Sequence, residues 1–407
     1  MARKTALTNR LATREEYFAR RIPNRQSHPV ESPSYAAVMQ QARNQKTVQK
    51  NVWINAEATA FTPHSPTTRA KTFHEALPGY RPTNLISVPE IAQDLGVGHV
   101  FIKDESERFG LPAFKALGAT WAIEKALKAH HAVNVGTTDS SPTLVTATDG
   151  NHGRAVANTA KKLGLKARIF IPDTVSEQAI NAIRGEGAQV HVLDTNYDDV
   201  VIIAAQNAKD THSLLIQDTA WEGYTDIPGW IVEGYTTMLA EVDEQLAATN
   251  NRATHVLVPT GVGSLLQAVL AYYRSQGPTA ARVISVEPDT AACIFTSLEN
   301  QEFTTVPTGV TVMSGLNCGT PSTLAWPLIQ QGLSAATTVS DTQALQALQD
   351  LEDHQIKVGP CGAAVLSGIR NLAGSQTARE QLNLDGSSVI VLLSTESIDA
   401  NPLGTSA

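Results

Sequence analysis

The sequence predicts an α/β protein with two open, mostly parallel sheets and helices on both faces of each. Three observations lead there. Short apolar runs alternate with amphipathic helical stretches between residues 100 and 393. The helical stretches have marked ends, which separates the runs into strands joined by crossovers. The length of 407 residues allows two or three domains, taking roughly 100 to 200 residues for each.

Residues 1–50 are polar and basic, and Pro23, Pro29 and Pro33 interrupt any regular pattern, so they are expected to form an extension. The folded part is expected to begin near Trp53. Apolar runs then fall at 100–102, 144–147, 167–171, 190–193, 214–216, 256–258, 283–286 and 389–393, each of strand length. A helix over 151–163 closes at Gly164, and another over 197–209 follows the turn residues Thr195 and Asn196. The block 115–225 reads as a smaller α/β unit, and 51–114 with 226–407 as a larger one. The cleft between two such units is where α/β proteins commonly bind ligands.

A formal net charge of -8 argues against a nucleic-acid partner. No apolar run approaches the ~20 residues that span a bilayer, so no membrane association is expected. The three cysteines, Cys293, Cys318 and Cys361, have no spacing suited to zinc, and no metal site is expected. Few cysteines and no apolar leader point to the cytoplasm. The arginines near the N-terminus would suit a transit peptide, but Glu15 and Glu16 break the acid-poor pattern.

Four segments could carry chemistry. The glycine-rich 259–265 lies between the run 256–258 and the helical 266–273, an arrangement that offers free N–H groups and a positive dipole end to an anion. A tight turn that needs glycine dihedrals explains it equally well. Neither a GxGxxG fingerprint nor a Walker lysine is present, so a nucleotide is the poorer guess. Lys115 opens a helical stretch in the apolar segment 111–118; burial there would lower its pKa and leave the neutral amine that Schiff-base chemistry needs. Standing alone, the segment is more readily read as a surface lysine with a buried stem. In 146–153, Asp149 or Asn151 could cap a helix, or both could face a ligand. Asp218 ends another apolar run, where an aspartate often forms a turn.

Taken together, 103–106 with Phe114 and Lys115, then Asp149-Gly150-Asn151-His152-Gly153, then the Gly261 loop, resemble the fold-type II pyridoxal-phosphate enzymes of the tryptophan synthase β family. Within it the chain most resembles the diaminopropionate ammonia-lyases. The likeness runs from about residue 80 to residue 399, and Asp149 stands where most relatives carry serine. Segments 217–224 and 311–319 also resemble that subfamily.

The resemblance implies a fold-type II enzyme with pyridoxal 5'-phosphate in the interdomain cleft and Lys115 as its Schiff-base lysine. It implies that Asn151 bonds the cofactor's phenolic oxygen, that Gly261, Val262, Gly263 and Ser264 hold its phosphate, and that Ser394 partners the pyridine nitrogen. A neutral hydroxyl at that nitrogen favours elimination over transamination. Asp149 and Asp218 are the candidates for acid–base work and for recognition of the substrate amine. The implied reaction converts a small β-substituted amino acid, 2,3-diaminopropionate, to pyruvate and ammonia in a cytoplasmic homodimer. Serine or threonine dehydration and cysteine-synthase-like β-replacement are the alternatives on this fold, and a non-catalytic binding protein is a remoter one. Two departures stand out: Pro360 replaces an acidic residue, removing a charge near the cofactor, and 394–397 lacks the glycine expected after Glu396. About 40 extra residues also precede the matched region. Cys293 and Cys318 fall in matched segments and could pair, although two reduced core cysteines are the default in a cytoplasmic protein.

Overall fold

A computed structural model describes residues 51–55, 57–133, 141–210 and 212–400, so the expected extension over 1–50 lies outside the described residues. In chain order the elements begin with β1 (Val52–Ile54), α1 (Arg69–Glu75), β2 (Leu85–Ser87), α2 (Pro89–Leu95), β3 (His99–Asp104) and α3 (Lys115–Val133). Next come β4 (Thr143–Ala147), α4 (Asn151–Lys162), β5 (Ala167–Pro172), α5 (Glu177–Gly185), β6 (Gln189–Leu193), α6 (Tyr197–Asn207) and β7 (Ser213–Leu215). Then follow α7 (Asp226–Ala247), β8 (His255–Pro259), α8 (Ser264–Arg274), β9 (Arg282–Pro288), α9 (Cys293–Asn300) and α10 (Trp326–Gly332). The last are β10 (Ala335–Val339), α11 (Asp341–Asp353), α12 (Pro360–Ala373), α13 (Gln376–Leu382) and β11 (Val389–Ser394).

The strands form a seven-stranded sheet of order β1-β10-β9-β8-β11-β3-β2 and a four-stranded sheet of order β6-β5-β4-β7. Every pairing is parallel except those of the edge strands, β1 with β10 and β2 with β3. All eight apolar runs read from the sequence are strands, while β1, β2 and β10 are additional. Side-chain alternation explains why the larger sheet needs two covers. Phe101, Val256, Val258 and Val391 face one cluster of buried residues, while Val100, Ile102, Leu257, Ile390 and Leu392 face another. Each fully buried aliphatic side chain contributes about 1.5–3 kcal/mol, so neither face could be left to solvent.

Local capping agrees with the chain. Asn196 caps α6 by accepting from the Asp199 N–H, and Gly164 takes φ 67 just beyond α4. Helix α3 packs against α7 so closely that a Cβ on Gly234 would lie 2.5 Å from the Leu117 carbonyl oxygen, and one on Gly118 would lie 2.6 Å from Tyr235 Cε1. That contact holds the helix that starts at Lys115 against the one that carries Tyr235.

Candidate active site

The ends of the parallel strands bring the candidate residues together. β4 leads to Asp149 and Asn151, β7 to Asp218, and β8 to the Gly261 loop. All of these lie past the carboxyl ends of strands, where open α/β sheets bind ligands. One cleft, with about 670 Å³ of empty space counting the part open to solvent, is lined by Lys115, Asp149, Asn151, Asp218 and all four residues from Gly261 to Ser264. Ser394 is the exception. It is fully buried behind the lining residues Thr395 and Glu396, and a Cβ on Gly362 would lie 2.7 Å from its Oγ. Among the described residues no group hydrogen-bonds that Oγ.

Lys115 Nζ donates to Asp218 Oδ2 at 2.5 Å. The other oxygen of Asp218 accepts from Gln217 Nε2 at 3.1 Å and from the Tyr197 hydroxyl at 3.4 Å. Burial opposes ionisation of Asp218, but His152 and Lys115 hold its carboxyl down at about 2. Burial in turn keeps His152 below its ordinary value. The imidazole spends its Nε2–H on the Ile216 carbonyl at 2.7 Å, and its Nδ1 lies 3.8 Å from Asp218 Oδ2.

The sequence reading expected burial to depress Lys115, and the structure corrects it. Burial does lower the amine's pKa, but Asp218, Tyr235 and Asp149 outweigh it, and the free Lys115 is held well above its ordinary value. Asp149 goes the other way from Asp218. Burial raises its carboxyl, and Asp218 and Glu396 add to the rise against the opposing pull of Lys115.

Neither Asp149 nor Asn151 caps α4. The cap position is Gly150 at φ 142 with no side-chain bond, and the Asn151 amide instead donates to Glu396 Oε2 at 2.6 Å. On the phosphate-loop side, Gly263 occupies the cap of α8 at φ 97, a conformation that favours glycine. Helix α8 therefore opens directly onto the cleft with its first N–H groups lacking intrahelical partners. The Ser264 hydroxyl is engaged elsewhere, donating to the Asp218 carbonyl at 2.6 Å, so an anion here would meet the backbone N–H of Ser264.

Several lining residues gave no clear signal in the sequence: Tyr197, Tyr235, Cys318, Cys361 and Glu396. Tyr235 lies in the middle of a helix and its hydroxyl has no hydrogen-bond partner among the described residues. Glu396 had a usable signal, since it comes two residues after a strand end already tied to the cofactor. Pro360 is at the first position of α12, where its missing N–H costs nothing; the cleft is lined by its neighbour Cys361. Cys293, Cys318 and Cys361 are all free and buried. Cys293 donates weakly to the Gly261 carbonyl, and a Cβ on Gly261 would sit 3.0 Å from Cys318 Sγ.

These features fit pyridoxal phosphate. An amine opens one helix, a glycine loop feeds the positive end of a second, and a buried hydroxyl at Ser394 has no hydrogen-bond partner among the described residues. Comparison with known proteins agrees. Diaminopropionate ammonia-lyase of Escherichia coli (strain K12) is 36% identical over 365 residues, covering 85% of this chain and 92% of that protein. L-threonine ammonia-lyase of Geobacter sulfurreducens is 28% identical over 77% of this chain and 70% of that protein. A crystal structure of the Escherichia coli diaminopropionate ammonia-lyase, in complex with an aminoacrylate-PLP azomethine reaction intermediate, superposes with a TM-score of 0.78 at 34% identity, covering 86% of this chain and 94% of that one. Residues 76–396 match the family described as pyridoxal-phosphate dependent enzyme, and to that family, on its fold-type II architecture, the chain belongs.

Proposed function

We propose that the protein removes the β-amino group of 2,3-diaminopropionate by α,β-elimination; with one water the products are pyruvate and two ammonias. The observation that carries this reading is the carboxyl of Asp149, buried in the cleft that holds Lys115 and raised above its ordinary value. Bound pyridoxal phosphate supplies an electron sink for the carbanion formed at the α-carbon. Lys115 would hold the cofactor, and its amine when free would accept the substrate's α-proton on its own face. Asp218 would keep the Lys115 amine in place through the 2.5 Å contact.

Asp149 serves the opposite face. A raised carboxyl is a stronger base when ionised and stays protonated to higher pH, so it can take the α-proton of the other enantiomer or, where protonated, give its proton to the departing amine. It can also pair with the substrate's β-ammonium, which a hydroxyl cannot replace without leaving a buried carboxylate unpaired. The backbone N–H groups from Gly261 to Ser264 bind the phosphate, Asn151 meets the phenolic oxygen, and the Ser394 hydroxyl meets the pyridine nitrogen. A second reading, serine or threonine dehydration, draws support from the likeness to L-threonine ammonia-lyase.

The division into a larger unit of 51–114 with 226–407 and a smaller one of 115–225 belongs to the same proposal. Its support is that each sheet draws its strands from one of these ranges alone. A homodimer acting on a small amino acid in the cytoplasm completes the reading. Among the described residues no helix is long and apolar enough to cross a membrane.

The deciding experiment assays the purified protein for 2-oxo acid and ammonia release across a set of β-substituted alanines that includes both enantiomers of 2,3-diaminopropionate and of serine. Two ammonias per pyruvate from diaminopropionate, with serine at least tenfold slower, supports the ammonia-lyase. Faster turnover of serine or threonine would hand the assignment to the dehydratases.

A further inference from the structure

Glu396 has no part in the roles assigned above, yet its setting is built around it. Its side chain is buried and lines the cleft. Its backbone forms an antiparallel bridge with Ala113, two residues before Lys115, and its carbonyl accepts from the Gly359 N–H at 2.8 Å. The flanking bonds, Phe114 N–H to the Thr395 carbonyl and Ser397 N–H to the Pro112 carbonyl, hold the same register. Space for the side chain exists because residue 359 is glycine. A Cβ there would lie 2.8 Å from Glu396 Cγ and 2.9 Å from its Oε1.

The carboxylate so placed accepts from Asn151 Nδ2 at 2.6 Å, the short distance expected of a charge-assisted bond. A primary amide can present either its oxygen or its two N–H donors, and rotation by half a turn exchanges them. An ionised carboxylate only accepts, so Glu396 permits one of the two orientations. One N–H of Asn151 is then committed to Glu396, which leaves the second for a partner in the cleft that Asn151 lines.

We propose that Glu396 is a positioning residue, which locks the Asn151 amide so that its free N–H, and not its oxygen, meets the phenolic oxygen of bound pyridoxal phosphate. The proposal rests on the cofactor reading above. It also accounts for a shared register: the bridge that fixes Glu396 also fixes the approach to Lys115, so the lysine and the amide are placed by one backbone contact.

The test uses the full chain loaded with cofactor, with Glu396→Gln, Glu396→Ala, Asn151→Ala and the two double variants. Three quantities are read: the cofactor dissociation constant, the balance between the short- and long-wavelength forms of its visible band as pH varies, and the melting temperature of the cofactor-free protein. Glu396→Ala should weaken cofactor binding about tenfold, or about 1.4 kcal/mol, and alter the band balance, with Glu396→Gln intermediate. In the Asn151→Ala background, either change at Glu396 should produce no further shift, because the lock has nothing left to hold. If Glu396→Ala does not fold, the same comparison is made with Glu396→Gln. Equal band shifts with and without Asn151 would mean that Glu396 acts through space as a charge, and would overturn the lock. A lowered melting temperature with an unchanged band and dissociation constant would overturn it too, leaving a structural glutamate. Wild-type protein that takes up no cofactor would overturn the cofactor reading itself, whereas uptake by wild type with indifferent variants overturns this proposal alone.

Discussion

Asp149 and Asp218 are both aspartates at the end of a small-sheet strand, yet their surroundings push their carboxyls in opposite directions. Burial opposes ionisation of both; Asp218 has a cation at 2.5 Å that outweighs it, whereas at Asp149 the pull of Lys115 is met by the neighbouring carboxylates of Asp218 and Glu396. The depressed carboxyl of Asp218 makes a testable contribution to stability. Its pKa falls from 3.8 to about 2, so its contribution is complete above the unfolded value and is lost as pH falls through the folded one. In the cofactor-free protein, Asp218→Asn should therefore cost on the order of 2 kcal/mol near neutral pH, and the difference from wild type should narrow between about pH 4 and pH 2. Urea unfolding at a series of pH values measures this, and a difference independent of pH would exclude the ion pair as its cause. For Asp149, the change to Asn keeps size and hydrogen bonding but removes basicity. Activity toward D-2,3-diaminopropionate should fall at least tenfold further than activity toward the L-isomer, read as kcat/KM for each enantiomer. Equal losses would reduce Asp149 to binding the substrate.

At the scale of elements, the joint between β3 and α7 depends on a buried network. Glu241 on α7 accepts from Lys103 at 2.8 Å and from Arg108 at 2.7 Å, and Arg108 also reaches Glu105 at 2.6 Å, all with side chains at most 1% exposed. Two cations face two anions, so the group is neutral as a whole. Glu241→Gln would leave Glu105 as the one carboxylate shared by Lys103 and Arg108 in this buried network. A loss of about 3–5 kcal/mol is expected by urea denaturation, and a loss below about 1 kcal/mol would show that the network relaxes around the change. The sequence made 103–106 visible as a motif, but its partner lies more than a hundred residues further on, in the middle of a helix, where a lone glutamate looks like a solvated one. Strand β10 escaped for a related reason: Ala-Ala-Thr-Thr-Val has little apolar mass, and only the neighbouring β9 and β1 make it a strand. The edge strands β1 and β2, three residues each, are too short to show a period at all.

Over the whole molecule, what was legible was whatever is local. Each apolar run announces its own strand, and the runs at 144–147, 214–216, 256–258 and 389–393 lead into residues that line the cleft, so Asp149, Asn151, Asp218 and the Gly261 loop could be named before their positions were known, as could Lys115 from its apolar helix-opening segment. What was not legible depends on two distant segments meeting. The pairing of Lys115 with Asp218 joins residues 103 apart, and it reverses the sign of the lysine's shift. Tyr235 reaches the cleft only because α7 crosses α3 at a pair of glycines. The assembly expected here, a homodimer, should sediment at about twice the chain mass of 43.5 kDa, and a monomeric boundary for the active protein would remove it.

The short antiparallel strands at the two edges of the larger sheet also bear on the fate of the protein in a crowded solution. A long exposed parallel edge is a template on which another chain can add strands, and the interior strands here are rich in valine, isoleucine and leucine. Among the described residues, β1 and β2 stand at those edges with three residues apiece and only partly buried faces. Each covers its neighbour while offering an incoming chain too few free backbone groups to seed a growing ladder. The sheet that carries the Gly261 loop is thereby shielded from aggregation by its two least conspicuous strands.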